Sequence, residues 1–361
     1  MTETDNLRRD VLHLLATAFV ELSEREAPGE PVYPPNVQRA YNLLVLTCLR
    51  KGVTPPGSVP ALVGLAATEP PSEWGLDLDL SELLVDPVTR TPTDACREWH
   101  LPYPDPLAEL HENETMLAAL SRCREADDPD VYVAFRRVLV ERPVLTAAEL
   151  DELLGDVDLF LLADLLPAIY RPATAAHRGR DGAYATCDGC GCLLYPSLRG
   201  WACELDRCRG DANAQVRQTL AASRRPHQLT APIRAFVTGP GLVEIELERT
   251  LSELGLRVQM WPMLDAYDLR VTFPGGVVWG IDAKDRADAR LLGRTLKAPA
   301  RQPPWNEFFL VVPDHRVRAR LNYRERFRRA CRPEVAAELS LLTVTEITRL
   351  ARKCLEGNVD A

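Results

Sequence analysis

Apolar residues recur at helical spacing from the start of the chain. Leu7, Val11, Leu14, Leu15, Phe19 and Leu22 predict an amphipathic helix over residues 6–24, whose stripe is core and implies no chemistry. A second amphipathic stretch covers 37–49. Helix-breaking prolines then follow at Pro55-Pro56, Pro60, Pro70-Pro71 and from Pro102 to Pro106, and predict a loop-rich middle. Over 130–170, Tyr132, Phe135, Val138 and Leu139 share one helix, and Thr146-Ala147-Ala148-Glu149 has the spacing of a capping box. This pair could serve as a helix-turn-helix, but its second element, 149–158, is acidic and would repel phosphate; packing against protein is the favoured reading.

From about Ile233 the texture changes to alternating helical and strand-like segments separated by Gly/Pro turns. Val243, Leu247, Leu251 and Leu254 form the stripe of a helix that Gly255 ends. Strands are expected at 256–261, 269–273 and 277–284, the last two joined by Pro274-Gly275-Gly276. The wholly apolar 308–313 reads as a buried strand, and 339–344 with 345–355 as a closing strand and helix. The expected class is therefore α+β and multidomain: a mainly helical region 1–175 with a possible break near 100–128, a Cys-rich module 180–215 and an α/β domain 230–361.

With 361 residues, 46% of them hydrophobic, the chain can bury a sizeable core. Its longest apolar stretch, 159–170, is interrupted by Asp164 and is about half the ~20 residues a spanning helix needs. The N-terminus has no basic segment or cleavage site of a secretory signal, so a cytoplasmic location is expected, where clustered cysteines more often bind metal than pair. The net charge of −9 argues against a protein that coats nucleic acid. Yet residues 286–332 carry a local +9, which points to a localised anionic partner for the C-terminal part and protein neighbours for the acidic remainder.

Five of the ten cysteines fall within 22 residues, as Cys187-x2-Cys190-x-Cys192 and Cys203-x4-Cys208. Two close pairs on tight turns suit tetrahedral zinc, with Cys187, Cys190, Cys203 and Cys208 as ligands and Cys192 either spare or a replacement for one of them. Four thiolates leave no open position, so such a zinc ion is structural. An iron-sulfur cluster is the alternative. Cys48, Cys96, Cys123, Cys331 and Cys354 are isolated and expected to be buried small hydrophobes.

The strongest chemical pattern lies between Gly239 and Asp285. Asp282 and Lys284, two apart on a strand, project to one side, and Asp268 at the start of the antiparallel neighbour can approach both. Converging carboxylates beside an ammonium suit one or two Mg²⁺ ions, and with them phosphodiester hydrolysis. The plain alternatives are a structural Asp268–Lys284 salt bridge and a solvated Glu244/Glu248 helix face.

This ordered series of helix, strand, Asp, turn, strand and Asp-Ala-Lys resembles the PD-(D/E)xK, or restriction-endonuclease-like, nucleases over roughly residues 233–355. The resemblance implies that Asp268 and Asp282 are magnesium ligands, Lys284 the catalytic lysine and Glu244 the helix carboxylate, with Glu246 and Glu248 as alternatives. Pro262 departs from the family's name by standing six residues before Asp268. The order of regions, and wording such as the run from Phe135 through Arg136 and Arg137 to Thr146, is also similar to the nuclease component of bacterial defence islands encoded beside a PIWI-like protein and a helicase. That resemblance implies action on invading DNA with such partners.

Arg316, Arg318, Arg320, Arg324 and Arg328, interleaved with Tyr323 and Phe327, suggest a surface for the nucleic-acid backbone, with Arg320, Arg324 and Phe327 on one helix face. Nothing there reads bases. A Mg²⁺-dependent DNA endonuclease is the main expectation, a catalytically inactive nucleic-acid-binding or scaffold subunit its rival, and a zinc-ribbon regulator a third. Serine hydrolysis, P-loop ATP hydrolysis and zinc-protease chemistry find no motif. A homodimer would suit double-strand cutting.

Overall fold

The computed structural model describes residues 3–24, 33–100, 114–198, 200–209, 214–320 and 322–357, with the side chains of 3–7 left aside. The expected turns at Pro102 to Pro106 and the side chain of Leu7 lie outside that description. The chain forms two compact units, 1–108 with 194–215 and 109–193 with 216–361. Compactness thus divides it at other points than the changes of texture near 175 and 230. Among the described residues no helix is long and apolar enough to cross a membrane.

The first unit is built on helices Glu3–Ser23, Pro35–Lys51, Val59–Thr68 and Asp94–His100. The predicted stripe is buried at Val11, Leu15 and Phe19, joined by Leu12, while Val37, Ala40, Leu44 and Cys48 are the buried face of the second helix. Ser58 caps the third helix by accepting from Ala61 N. A short hairpin pairs Tyr195–Ser197 with Gly200–Ala202, and the ion pairs Arg97–Glu204 (3.2 Å, buried) and Arg209–Asp86 (2.9 Å) tie residues 200–209 to this unit.

The second unit carries the predicted α/β domain. Five strands, β1 (Arg257–Met260), β2 (Leu269–Thr272), β3 (Val278–Ala283), β4 (Glu307–Val312) and β5 (Ser340–Thr343), form one sheet in the order β5-β4-β3-β2-β1. The hairpin-linked β1, β2 and β3 are antiparallel, and β3, β4 and β5 parallel, so the sheet is mixed. Beyond the exposed Glu307, both faces of β4 are buried, in keeping with the wholly apolar run 308–312. Phe309 and Val311 enter one core with Trp279, Ile281 and helix residues Val243, Leu247, Leu251 and Ile347; Leu310 and Val312 enter another with Leu292, Tyr323 and Phe327.

Four helices matter below: α1 (Pro129–Glu141), α2 (Gly239–Glu253), α3 (Ala289–Thr295) and α4 (Tyr323–Ala330). Asp128 caps α1 and places Tyr132, Phe135 and Leu139 in the same core as α2. The capping box of Thr146 and Glu149 opens the next helix, Ala147–Leu154, as its spacing predicts. Helices α1 and α2 approach so closely that a Cβ on Gly241 would lie 2.3 Å from Val140 Cγ2. Only glycine fits there.

Candidate active site

The hairpin register explains how the carboxylates meet. Ile281 pairs with Leu269, so one step further Asp282 stands opposite Asp268, where two like charges repel unless cations join them. Lys284 does so: its Nζ lies 2.7 Å from Asp282 Oδ1 and 3.5 Å from Asp268 Oδ2. Lys284 N donates to Val311 O (2.8 Å), and Ala283 N donates to Asp268 Oδ2 (2.6 Å), which fixes the ends of β3 and β2 to one another and to β4.

Of the three candidate glutamates on α2, Glu244, Glu246 and Glu248, only Glu244 reaches this point. It is 1% exposed, whereas Glu248 is drawn off by Arg137, with contacts of 2.7 and 2.9 Å, and Glu246 is half-buried. Glu244 accepts from both sides. Arg136 Nη2 lies 2.9 and 3.0 Å from its two oxygens, and Trp261 Nε1 donates to Oε2 at 2.5 Å. Arg136 Nη1 also donates to Asp265, Nη2 stands 3.7 Å from Asp268 Oδ1, and the guanidinium lies 4.8 Å from the centre of the Trp261 ring. Tyr132 completes the group by donating to Asp265 Oδ2 (3.1 Å).

Asp265 arrives by an unusual backbone. Trp261, Met263, Leu264 and Asp265 have φ of 44°, 51°, 58° and 69°, a left-handed turn without glycine. Each such residue costs about 1–2 kcal/mol, so packing of the buried Trp261 and the Arg136–Asp265 ion pair must hold the turn. This turn accounts for the six-position offset between Pro262 and Asp268.

Charge crowding sets the electrostatics. Burial, reinforced by Glu244, raises the Asp268 carboxyl well above the usual range, and burial raises Glu244 in spite of Arg136. Burial acts to lower Lys284, but Asp268 and Asp282 outweigh it and hold the ammonium above its ordinary value. Lys284 is therefore a charged donor in this state rather than a proton acceptor.

The cysteine-rich stretch offers a second donor set. Cys187 ends a strand, Tyr184–Cys187, and the following turn is closed by Gly191 N donating to Cys187 O (2.9 Å), with Gly191 at φ 76°. Cys187, Cys190, Cys203 and Cys208 form a group that could hold a metal ion such as zinc, their sulfur atoms within 4.8 Å of one another. Tetrahedral Zn–S bonds require sulfurs roughly 3.8 Å apart, so the set fits. Cys192 is buried outside the group, and its carbonyl accepts from Cys187 N (2.8 Å).

The basic segment is rearranged relative to expectation. It forms two short helices, Asp314–Ala319 and α4, with Arg320 extended between them, so Arg320 and Arg324 share no continuous helix face. Arg316 is buried with its Nε 2.5 Å from Asp285 Oδ1, which makes it part of the framework next to Lys284 rather than an exposed contact. Arg318 and Arg328 are exposed, and Arg324 is paired with Glu346 (2.5 Å). A different gathering emerges around α3. Burial, then Arg326, Arg294 and Arg320, depress Arg290 to about 9 although Asp288 pairs with it at 3.0 Å.

Sequence reasoning missed Arg136, Trp261, Asp265, Tyr132 and Arg290. Arg136 lies 108 residues from Glu244, and no local spacing announces so distant a partner. Residues 241–358 match a family model described as REase associating with pPIWI_RE, and residues 11–146 match one described as pPIWI_RE three-gene island domain Y. No curated protein and no solved structure matches the chain.

Proposed function

We propose that this chain is the nuclease of a pPIWI_RE defence island, a Mg²⁺-dependent endonuclease that hydrolyses phosphodiester bonds in DNA. The observation that carries the reading is the convergence of Asp268, Asp282 and Lys284 at one end of β3, inside the segment that matches the REase-associated model. A structural salt bridge needs one carboxylate; here Lys284 serves two, and further carboxylates crowd Asp268. The donor set is all oxygen, the preference of Mg²⁺.

Asp268 and Asp282 would hold the ion, with Glu244 behind them. Bound Mg²⁺ would polarise the scissile phosphate and acidify a water. Lys284, kept as an ammonium, offsets the negative charge that develops on the phosphate oxygens. Ala283 N fixes the Asp268 carboxylate, and the Lys284 N to Val311 O bond fixes the strand end, so the groups are preorganised. Exposed Arg318 and Arg328 and the arginines around Arg290 supply positive surface for the sugar-phosphate backbone. A PIWI-like protein and a helicase would then select the target, and the acidic N-terminal region, part of which matches domain Y, would dock them. A structural zinc at the four cysteines completes the cofactor set.

Plasmid and single-stranded DNA are incubated with the parent chain, Asp282→Asn and Lys284→Ala, with and without Mg²⁺. Mg²⁺-dependent cleavage lost in both folded variants supports the reading. Cleavage that survives Asp282→Asn, or a parent inert alone and with its island partners, sinks it in favour of the scaffold subunit.

A further inference from the structure

We propose that the carboxylate cluster takes a single divalent cation and that Arg136 occupies the place of a second. This deepens the nuclease reading and rests on it.

Four carboxylates meet here, Glu244, Asp265, Asp268 and Asp282, and two cations face them, Arg136 and Lys284. With all four ionised, as metal binding requires, the deficit of two positive charges is that of one divalent ion. A cluster without Arg136 would lack three.

The position of the guanidinium matters as much as its charge. Arg136 Nη2 is 2.9 Å from Glu244 Oε1 and 3.7 Å from Asp268 Oδ1, so the guanidinium itself stands between the two carboxylates and supplies positive charge to both. Both Glu244 oxygens accept from it, and Oε2 also accepts from Trp261, which leaves Asp268 and Asp282 as the pair directed to a metal. Nor is Arg136 a passing surface side chain. It is buried, stacked on Trp261 and held by Asp265, whose left-handed turn and Tyr132 contact keep it in place. Gly241 lets α1 sit close enough on α2 for the reach, since any side chain there would strike Val140. Arg136 is thus a positioning residue that fixes the number of cations. It is contributed by the segment matching domain Y to a site whose other members, Asp265 among them, lie in the segment matching the REase-associated model.

The test is calorimetric and manganese-resonance titration of the full-length chain with Mn²⁺, an oxygen-seeking probe that leaves thiolate sites aside. The parent is expected to bind one equivalent, lost in Asp282→Asn. Arg136→Gln is expected to bind two, and Arg136→Lys, which keeps the charge, one. A merely structural Arg136 would leave stoichiometry unchanged in every folded variant. Two equivalents in the parent overturn the inference and leave the nuclease reading standing, as does a folded Arg136→Gln that still binds one with unaltered affinity. No Mn²⁺ lost on Asp282→Asn overturns both. Should Arg136→Gln fail to fold, Arg136→Met takes its place with the same expectation of two equivalents, and one equivalent in that folded variant overturns the inference.

Discussion

The two donor sets of this molecule differ in what balances their charge. The cysteine group has soft thiols from two short turns and, as thiolates, would carry four negative charges that only a metal can gather. The oxygen cluster brings its own cations, Arg136 and Lys284, so its carboxylates can pack together without an ion. A site of the first kind would make a metal part of folding; a site of the second kind would leave a metal free to serve chemistry. The contrast can be broken by experiment at each end.

The largest effect is expected at the cysteines. Structural zinc contributes about 10–16 kcal/mol of apparent binding energy in zinc-finger peptides, so Cys203→Ser should lose the metal and expose residues 187–208 to proteolysis. Elemental analysis should find one zinc per parent chain. Cys192→Ser should keep it, because Cys192 lies outside the group. Removal of Mg²⁺, by contrast, should leave the melting curve of the second unit intact apart from a small shift. A Cys192→Ser protein without zinc would reopen the choice of ligands.

Next in size is the Arg136–Glu244 pair. Removing one partner of a buried ion pair costs about 3–5 kcal/mol, because the other charge is stranded. Arg136→Ala should therefore lower the unfolding free energy from urea titration by that measure, and adding Glu244→Gln to it should restore a substantial part. Equal losses in the single and double variants would show that Glu244 is not stranded, and that the cluster is not balanced from within.

Gly241→Ala ranks third. The added methyl would meet Val140 at 2.3 Å, and overpacking of this kind costs about 1–3 kcal/mol. Because α1 carries Arg136, the variant should also loosen the clamp on Glu244, which a shift in Trp261 fluorescence would report. Val140→Ala in the same chain should rescue both.

Much of this region was legible in the sequence because local rules govern it. The stripe of α2, the Gly255 stop, the hairpin and the Thr146–Glu149 box all follow from periodicities of a few residues. The hairpin register brings Asp268 opposite Asp282, and the same-side rule brings Lys284 to them. What was not legible depends on distance along the chain or on strain. Arg136 meets Glu244 only because two helices from separate stretches pack, and the left-handed turn contains no glycine and sets Trp261, Met263 and Leu264, which do not favour it, beside Asp265. The basic segment misled for a related reason: a helical period assumed across 316–329 fails where Arg320 turns extended, and burial turns Arg316 toward Asp285.

The smallest effect has the most informative sign. Asp268 has its folded pKa raised by burial above the unfolded value of about 3.9, so between those two values the native state holds a proton that the unfolded chain lacks. Its contribution to stability is then full below the unfolded pKa and is lost as pH rises through the folded one, by at most about 1.4 kcal/mol per pH unit. Glu149 behaves in the opposite way. Its hydrogen bonds with Thr146 lower its pKa, so the stability it gives is present above about pH 4.3 and is lost on acidification. Urea midpoints measured from about pH 2.5 to about pH 8 without Mg²⁺ should therefore change slope in opposite directions, above about pH 3.9 in Asp268→Asn and below about pH 4.3 in Glu149→Gln. The Mg²⁺ proposed above would compete with the Asp268 proton, so its stabilising effect should grow with pH in the parent and vanish in Asp268→Asn. A parent whose Mg²⁺ effect is flat in pH would mean that Asp268 is already ionised against its neighbours, and that Arg136 and Lys284 balance the cluster more fully than its burial implies.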